Sequence, residues 1–173
     1  MSERSERPKD TADLVDRAGA ERQRGGGTSD ILHRVGVIAP LKEVHAALTT
    51  IDGLAGWWTE DTKGDTDGVI EFRFASAGGD GFDMKVLEAA PELVRWEVVG
   101  GPEEWIGTHV SFTLSQVDEF TIVLFKHEGW REPVEFMYHC STKWATFLMS
   151  LKQYVETGKG DPAPNDVLVS NWH

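Results

Sequence analysis

The residues best suited to acid–base chemistry in this sequence are two histidines on predicted inner strand faces. His127 follows Phe125 on one face of the predicted strand 120–128, and His33 lies on the inner face of the predicted strand 31–38. A neutral imidazole at either position could orient a ligand carbonyl or transfer a proton near neutral pH. The alternative is an imidazole hydrogen-bonded to a backbone group at a strand end. No specific catalytic residue is predicted.

One loop carries three acidic residues and therefore invites a calcium interpretation. Asp61, Asp65 and Asp67 lie close together before a glycine. An EF-hand loop would need an aspartate and a glutamate at two further positions, which Lys63 and Phe74 occupy here. A solvated turn is the better interpretation, and we predict no metal site and no cofactor.

Nucleophilic and nucleotide-binding motifs are missing from the sequence. There is no G-x-S-x-G elbow, no Walker loop, no G-x-G-x-x-G after a strand, and no HxxxH or HExxH spacing. The single cysteine, Cys140, excludes an intramolecular disulfide. It falls on the apolar stripe of a predicted helix, which favours a buried thiol over a nucleophile.

The longest predicted element is a helix over 133–158, which must position much of the core. With a period of 3.6 residues its apolar stripe contains Met137, Cys140, Ser141, Trp144, Leu148, Leu151 and Val155. Pro133 suits the first turn and Gly158 suits the C-terminal stop. A helix of roughly 24 residues is about 36 Å long, so it needs a broad apolar surface to lie on.

The preceding sequence supplies that surface as strands with one apolar face each. A first strand, 31–38, precedes two short helices, 41–49 and 51–58, and the second helix ends in Trp57 and Trp58. Five further strands have the inner faces Ile70, Phe72 and Phe74; Phe82, Met84 and Val86; Val94, Trp96 and Val98; Val110, Phe112 and Leu114; and Val123, Phe125 and His127. Short turns make these strands antiparallel neighbours. We predict an α+β helix-grip fold, with a curved antiparallel sheet of about six strands wrapped around the long C-terminal helix.

Composition divides the chain into three parts. Residues 1–30 are rich in Ser, Glu, Arg, Asp and Gly, and they predict a mobile polar N-terminal tail. Residues 31–158 form the predicted domain. Residues 159–173 form a C-terminal tail whose few apolar residues could fold back on the domain, although nothing in the sequence fixes where.

Charge and hydropathy limit the partners. A net charge of −12 argues against nucleic acid and against an anionic membrane surface. No apolar run approaches 18 residues, and the N-terminus lacks the apolar core of a signal peptide. We therefore expect a cytoplasmic protein that is a monomer or a homodimer.

Several segments, in their order and spacing, resemble the START-like superfamily, also called SRPBCC. They are VGVIAPLKEV at 35–44, IDGLAGWW at 51–58, VSFTL at 110–114, HEGW at 127–130 and ETGKG at 156–160. Within that superfamily the chain looks most like the activator-of-heat-shock-protein-ATPase homologues in their small stand-alone bacterial form. The resemblance covers residues 31–160 and implies the same helix-grip fold.

The resemblance also implies a cavity between the sheet and the long helix, which in this superfamily holds lipids, sterols, hormones or polyketides. The residues that would line it are Trp57, Trp58, Phe72, Phe74, Met84, Trp96, Phe112, Phe125, His127 and Trp144. The alternative is a fully packed core, because protein interiors leave few voids.

The resemblance leaves three functions open. The preferred one is binding of a small hydrophobic molecule. The second is a polyketide cyclase-like enzyme, in which the pocket folds the substrate and one or two polar groups move protons. The third is a co-chaperone in the stress response that activates a heat-shock ATPase. The full-length eukaryotic activators carry an additional N-terminal domain, which residues 1–30 are expected to be too short and too polar to supply.

Overall fold

A curved antiparallel sheet wraps around one long helix. The computed structural model describes residues 29–173. The strands are β1 (Ser29–Ile38), β2 (Thr62–Gly64), β3 (Val69–Arg73), β4 (Gly81–Ala90), β5 (Leu93–Gly100), β6 (His109–Val117) and β7 (Phe120–Trp130). They lie in the order β1-β7-β6-β5-β4-β3-β2, and every neighbouring pair is antiparallel. This is the predicted α+β helix-grip fold.

Three α-helices accompany the sheet. They are α1 (Leu41–Thr49), α2 (Ile51–Trp57) and α3 (Glu135–Thr157), and a 3₁₀ turn spans Ala75–Ala77. Thr50 caps α2, since its hydroxyl accepts a hydrogen bond from the Gly53 amide at 3.0 Å. α3 ends where predicted, because Gly158 adopts the left-handed conformation with φ of 86°. It begins two residues later than predicted, since Val134 is still extended.

The sheet has seven strands, one more than the predicted number of about six. The additional strand, β2, lies between Asp61 and Asp65, in the loop for which the sequence predicts a solvated turn. It pairs only three residues with β3, with Lys63 opposite Glu71. A polar edge strand of this length carries no hydrophobic alternation, so no pattern of residues indicates it. Phe74 also falls just outside its predicted strand, because β3 ends at Arg73.

The core lies between the concave face of the sheet and α3, and it is largely aromatic. Its largest fully buried side chains are Trp57, Trp58, Trp96, Trp130, Trp144, Phe72, Phe112 and Phe125. Burying an aromatic side chain removes roughly 150–250 Å² of surface from water. The aromatic residues therefore supply much of the hydrophobic free energy that holds α3 on the sheet.

α3 also covers part of the open edge of β1. Lys152 Nζ donates a hydrogen bond to the Gly36 carbonyl at 2.6 Å, and the Ile38 amide donates one to Glu156 Oε2 at 2.8 Å. Lys152 and Glu156 pair with each other at 2.7 Å. Hydrogen bonding to Lys152 is the main reason that the pKa of Glu156 is lowered. These side chains occupy backbone groups that would otherwise be open to another strand.

Most of the predicted N-terminal tail, residues 1–28, lies outside the described residues. Within residues 29–173, no helix is both long enough and apolar enough to cross a membrane.

Neighbouring residues on α3 provide a test of this packing. Leu148 is fully buried, whereas Met149 is 55% exposed. Leu148→Ala should lower the free energy of unfolding by about 2–5 kcal/mol, because it opens a cavity in the core. Met149→Ala should change it by less than about 0.5 kcal/mol. Urea denaturation of both variants measures the difference, and equal losses would contradict the placement of the helix.

Candidate ligand-binding site

Nine of the ten residues predicted to line a ligand cavity are buried, and Phe74 is half-buried. They pack mainly on one another around Trp58. The Trp58 ring lies 4.1 Å from the Phe72 ring, 5.0 Å from that of Trp144 and 6.1 Å from that of Trp96, measured between centroids. These contacts make the predicted set the aromatic core of the domain.

His127 lies in this core in the middle of a chain of hydrogen bonds. The Trp144 indole N–H donates to His127 Nδ1 at 3.1 Å, so the imidazole proton must be on Nε2. Nε2 then donates to the Thr108 hydroxyl at 2.7 Å, and this hydroxyl donates to the Trp105 carbonyl at 2.5 Å. Both ring nitrogens are therefore used, and neither is free to act on a substrate.

Burial keeps this histidine neutral. His127 is fully buried, and desolvation lowers its pKa from 6.5 to about 3. Its role in the fold is to position two tryptophans, Trp144 through the indole and Trp105 through the backbone. The other predicted histidine, His33, contacts a backbone group, since its Nε2 lies 3.1 Å from the Ser141 carbonyl of α3. It makes this contact from within β1 and not, as the alternative interpretation had it, from a strand end.

A cavity of about 660 Å³ opens at the side of this core. It lies between the β3–β4 hairpin, the β5–β6 loop, the first half of α3 and the C-terminal segment, residues 159–173. Of the ten predicted residues, Trp58, Phe74 and Trp144 line it, and ligand contact by these three stays a prediction. The other seven do not line it: Trp57, Phe72, Met84, Trp96, Phe112, Phe125 and His127.

The cavity walls are rings stacked in nearly parallel planes. Phe82 and Trp105 stack at 3.9 Å with an angle of 8° between them, and Trp105 and Trp144 are 5.9 Å apart at 17°. Trp58 and Phe82 are 6.1 Å apart at 14°. Parallel flat walls favour a flat guest, because aromatic rings prefer offset stacking.

Sequence reasoning missed Trp105, the central ring of this wall. It lies in the β5–β6 loop rather than on a strand, so no alternation could place it inward. The loop residues before it, 101–104, are Gly, Pro and Glu, and a tryptophan directly after such a stretch is the signal that could have found it. The Trp105 ring is nevertheless only 3% exposed.

Both cationic side chains that line the cavity are paired with carboxylates. Arg73 Nη1 lies 2.8 Å from Asp83 Oδ1, an ion pair rather than an aligned hydrogen bond. Lys143 pairs with Asp166, donates to the Val167 carbonyl at 2.8 Å, and lies 5.2 Å from the centre of the Phe147 ring. The lining therefore offers no uncompensated positive charge to an anionic ligand.

The Cys140 thiol lines the cavity in its protonated form. Burial raises its pKa to about 12; the charge of Glu104 adds to this effect, and the Trp105 side chain opposes it. A thiol with so high a pKa is a poor nucleophile. The interpretation of Cys140 as a buried thiol agrees with its 4% exposure.

The C-terminal segment, predicted as a tail, folds back over the cavity. Its first half is fixed to the domain, since the Ala163 amide donates to the Trp58 carbonyl at 2.8 Å. Ser150 also connects this half to the domain, because its hydroxyl donates to the Trp57 carbonyl and accepts from the Asp161 amide.

The second half of the C-terminal segment contacts the cavity mouth through side chains. Asp166 binds Lys143, and the Ser170 hydroxyl lies 2.7 Å from His139 Nδ1. The Trp172 ring packs edge-on against His139 at 5.7 Å. Desolvation, followed by the charges of Lys143 and His173, lowers the pKa of His139. This half forms one side of the mouth.

A curved sheet that grips a long helix, with a cavity bordered by both, defines a START-like helix-grip protein. The chain belongs to the family of Activator of Hsp90 ATPase homolog 1-like proteins, whose model matches residues 38–156. This confirms the resemblance described from the sequence. A search of curated proteins gave no match.

Solved structures support the same assignment. The solution structure of the Aha1 dimer from Colwellia psychrerythraea is 45% identical, has a TM-score of 0.69, and covers 76% of this chain and 99% of that one. DynU16, a putative protein in the dynemicin biosynthetic locus, is 28% identical with a TM-score of 0.62, over 76% of this chain and 48% of its own. CalU16 from Micromonospora echinospora is 19% identical with a TM-score of 0.61, over 76% and 78%, and shows the fold alone.

The lowered pKa of His127 predicts acid sensitivity. Since the folded pKa of about 3 is below the unfolded value of 6.5, the unfolded chain takes up the proton first as pH falls. The contribution of neutral His127 to the free energy of unfolding is complete above pH 6.5, and it is lost progressively as the pH falls to 3. Between pH 6.5 and pH 5 the loss should be about 1.6 kcal/mol.

His127→Gln should flatten this dependence, because glutamine can make both hydrogen bonds but does not titrate. Denaturant unfolding at several pH values measures the slope. Phe125→Leu, a buried change on the same strand, is the control that lowers stability without altering the slope. If the free energy of unfolding of His127→Gln depends on pH as steeply as that of the wild type, His127 is not the source of the acid sensitivity.

Proposed function

We propose that this protein binds a small, flat, largely apolar and uncharged molecule in the cavity beside α3. The observation that carries the proposal is the set of parallel rings around Trp105. The Phe82, Trp105 and Trp144 rings lie within 17° of parallel from one to the next. A planar aromatic ligand extends such a stack with little rearrangement.

The charges of the lining support a neutral ligand. Arg73 and Lys143 are each neutralised by a carboxylate, while Asp80 adds an exposed negative charge at the rim. An anionic ligand would have to break an ion pair before it gained a favourable contact. Hydroxyl, carbonyl or amine groups can instead hydrogen-bond to the Ser76 and His139 side chains, which also line the cavity.

Binding without turnover is favoured over a cyclase-like reaction. His127 lies outside the cavity lining and is held neutral with both nitrogens bonded. Cys140 is a protonated thiol, and His139 lies at the mouth with one nitrogen near Ser170. DynU16, from a biosynthetic locus, supports a small-molecule ligand in general terms.

We also infer that the protein forms a homodimer. The support is the relative from Colwellia psychrerythraea, which is described as a dimer in solution and is matched by this chain over 99% of its length. The dimer and the ligand are separate proposals, because ligand binding is measured by titration and the dimer by mass.

A fluorescence titration tests the ligand proposal. 1-Aminoanthracene, which is flat and uncharged at neutral pH, should bind saturably and quench tryptophan emission. Anthracene-1-carboxylate, of similar shape but negatively charged, should bind more weakly. Trp105→Leu should weaken binding of the neutral probe by up to about tenfold, because a stacking contact is worth about 0.5–1.5 kcal/mol.

Phe112→Leu is the matched control, since Phe112 is a buried ring that does not line the cavity. It should lower stability and leave probe affinity unchanged. If neither probe binds the wild type, or if both variants lose affinity equally, the cavity beside α3 is not the binding site. Stimulation of an Hsp90 ATPase, which the family description suggests, would then be the activity to measure.

A further inference from the structure

The outer face of the sheet carries an apolar patch at its β1–β7–β6 end. Outer faces of antiparallel sheets are normally polar. Its exposed apolar members are Leu32 (53%), Ile38 (52%), Val117 (50%) and Leu124 (44%), and Phe120 and Ile122 lie among them. One charged residue, the exposed Arg34, lies within this area opposite Leu124. Ile38, Phe120 and Val117 form one cross-strand row. We call the six apolar residues the outer patch.

A glycine keeps the outer patch flat. Gly36 lies opposite Ile122 on the neighbouring strand. The side chains of Phe120 and Ile122 lean over it, since a Cβ at Gly36 would lie 3.1 Å from Phe120 Cδ1 and 3.6 Å from Ile122 Cδ1. A side chain at this position would raise the centre of the patch. The flat surface suits a broad partner better than an inserted peptide.

Charges of opposite sign flank the outer patch along β7. Lys126 follows it at one end, and the β6–β7 turn with Asp118 and Glu119 precedes it at the other. All three side chains are exposed, and none forms an ion pair with any residue from 29 to 173. Ile122 lies midway, four residues from both Asp118 and Lys126.

We propose that the outer patch is the interface of the homodimer, with a two-fold axis near Ile122 that packs β7 of one protomer on β7 of its partner in the opposite direction. This inference rests on the dimer proposed above and names its surface. Reversal about Ile122 brings Lys126 of each protomer to the acidic turn of the other. A two-fold contact uses the same patch twice, so a patch with opposite charges at its ends complements itself.

Two other arrangements fit less well. A two-fold axis parallel to the strands would bring like charges together. Pairing of β1 edges would have to displace Lys152 and Glu156, which already bond the Gly36 carbonyl and the Ile38 amide. The face, rather than the edge, is therefore the open surface.

Sedimentation equilibrium of the full chain tests the surface. Leu124→Glu places a charge in the outer patch and should raise the dimer dissociation constant at least about tenfold. Leu87→Glu is the matched control, because Leu87 is also an exposed leucine (39%) of the sheet but lies on β4. It should leave the constant within about twofold of the wild type.

Charge reversal tests the orientation. Lys126→Glu and Glu119→Lys should each weaken the dimer, and the double variant should recover most of the wild-type affinity. Lys85→Glu, the same reversal at an exposed position on β4, should have no effect. Single variants that weaken the dimer without mutual rescue would overturn the two-fold axis near Ile122.

The outcomes separate the two levels of the inference. A wild-type dimer that Leu124→Glu leaves intact would overturn the outer patch as the interface and keep the homodimer. A wild-type chain that is monomeric at the highest concentration reached would overturn both. Neither result bears on ligand binding, which is measured with 1-aminoanthracene.

Discussion

The contact of Trp144 with the concave face of the sheet is the interaction on which the rest of the structure depends. Its ring touches Trp58 and Phe125 in the core, with centroids 5.0 Å and 4.6 Å away, and faces Trp105 across the cavity wall. Its indole N–H is held by His127. One side chain therefore fastens α3 to the sheet and sets one wall of the cavity, so the stability of the fold and the shape of the site cannot vary independently.

The regular spacing of hydrophobic residues along the sequence explains which parts of the fold could be predicted. α1 and α3 were placed within two residues because each has an apolar stripe and a recognisable end, such as Gly158. The predicted strands of the sheet were found by alternation, whereas β2 was missed because a three-residue polar edge has none. This spacing indicates which side chains face the inside of the domain. It does not separate a side chain in the solid core from one that borders a cavity.

The candidate site was harder to predict because long-range folding of irregular segments builds it. Trp105 belongs to a loop, and Asp166 and Trp172 belong to the C-terminal segment, where no period applies. His139, Lys143 and Ser150 lie outside the predicted apolar stripe of α3, on a side of the helix that would ordinarily face water. In the structure this side carries the C-terminal segment, whose backbone and side chains bond to these three residues. Polar residues on one side of a helix can thus indicate that another segment of the same chain hydrogen-bonds to that side.

The pairing of β1 with β7 has a consequence for the way the chain reaches this structure. Ser29 lies opposite Trp130, so the two strands that complete the sheet are about a hundred residues apart in sequence. Contacts of such long range close large loops and slow folding. During synthesis the concave face has no cover until α3 has emerged, and until then its tryptophans and phenylalanines are exposed to other chains. Aggregation of incomplete chains is the hazard that this topology brings, and rapid docking of the last helix is what limits it.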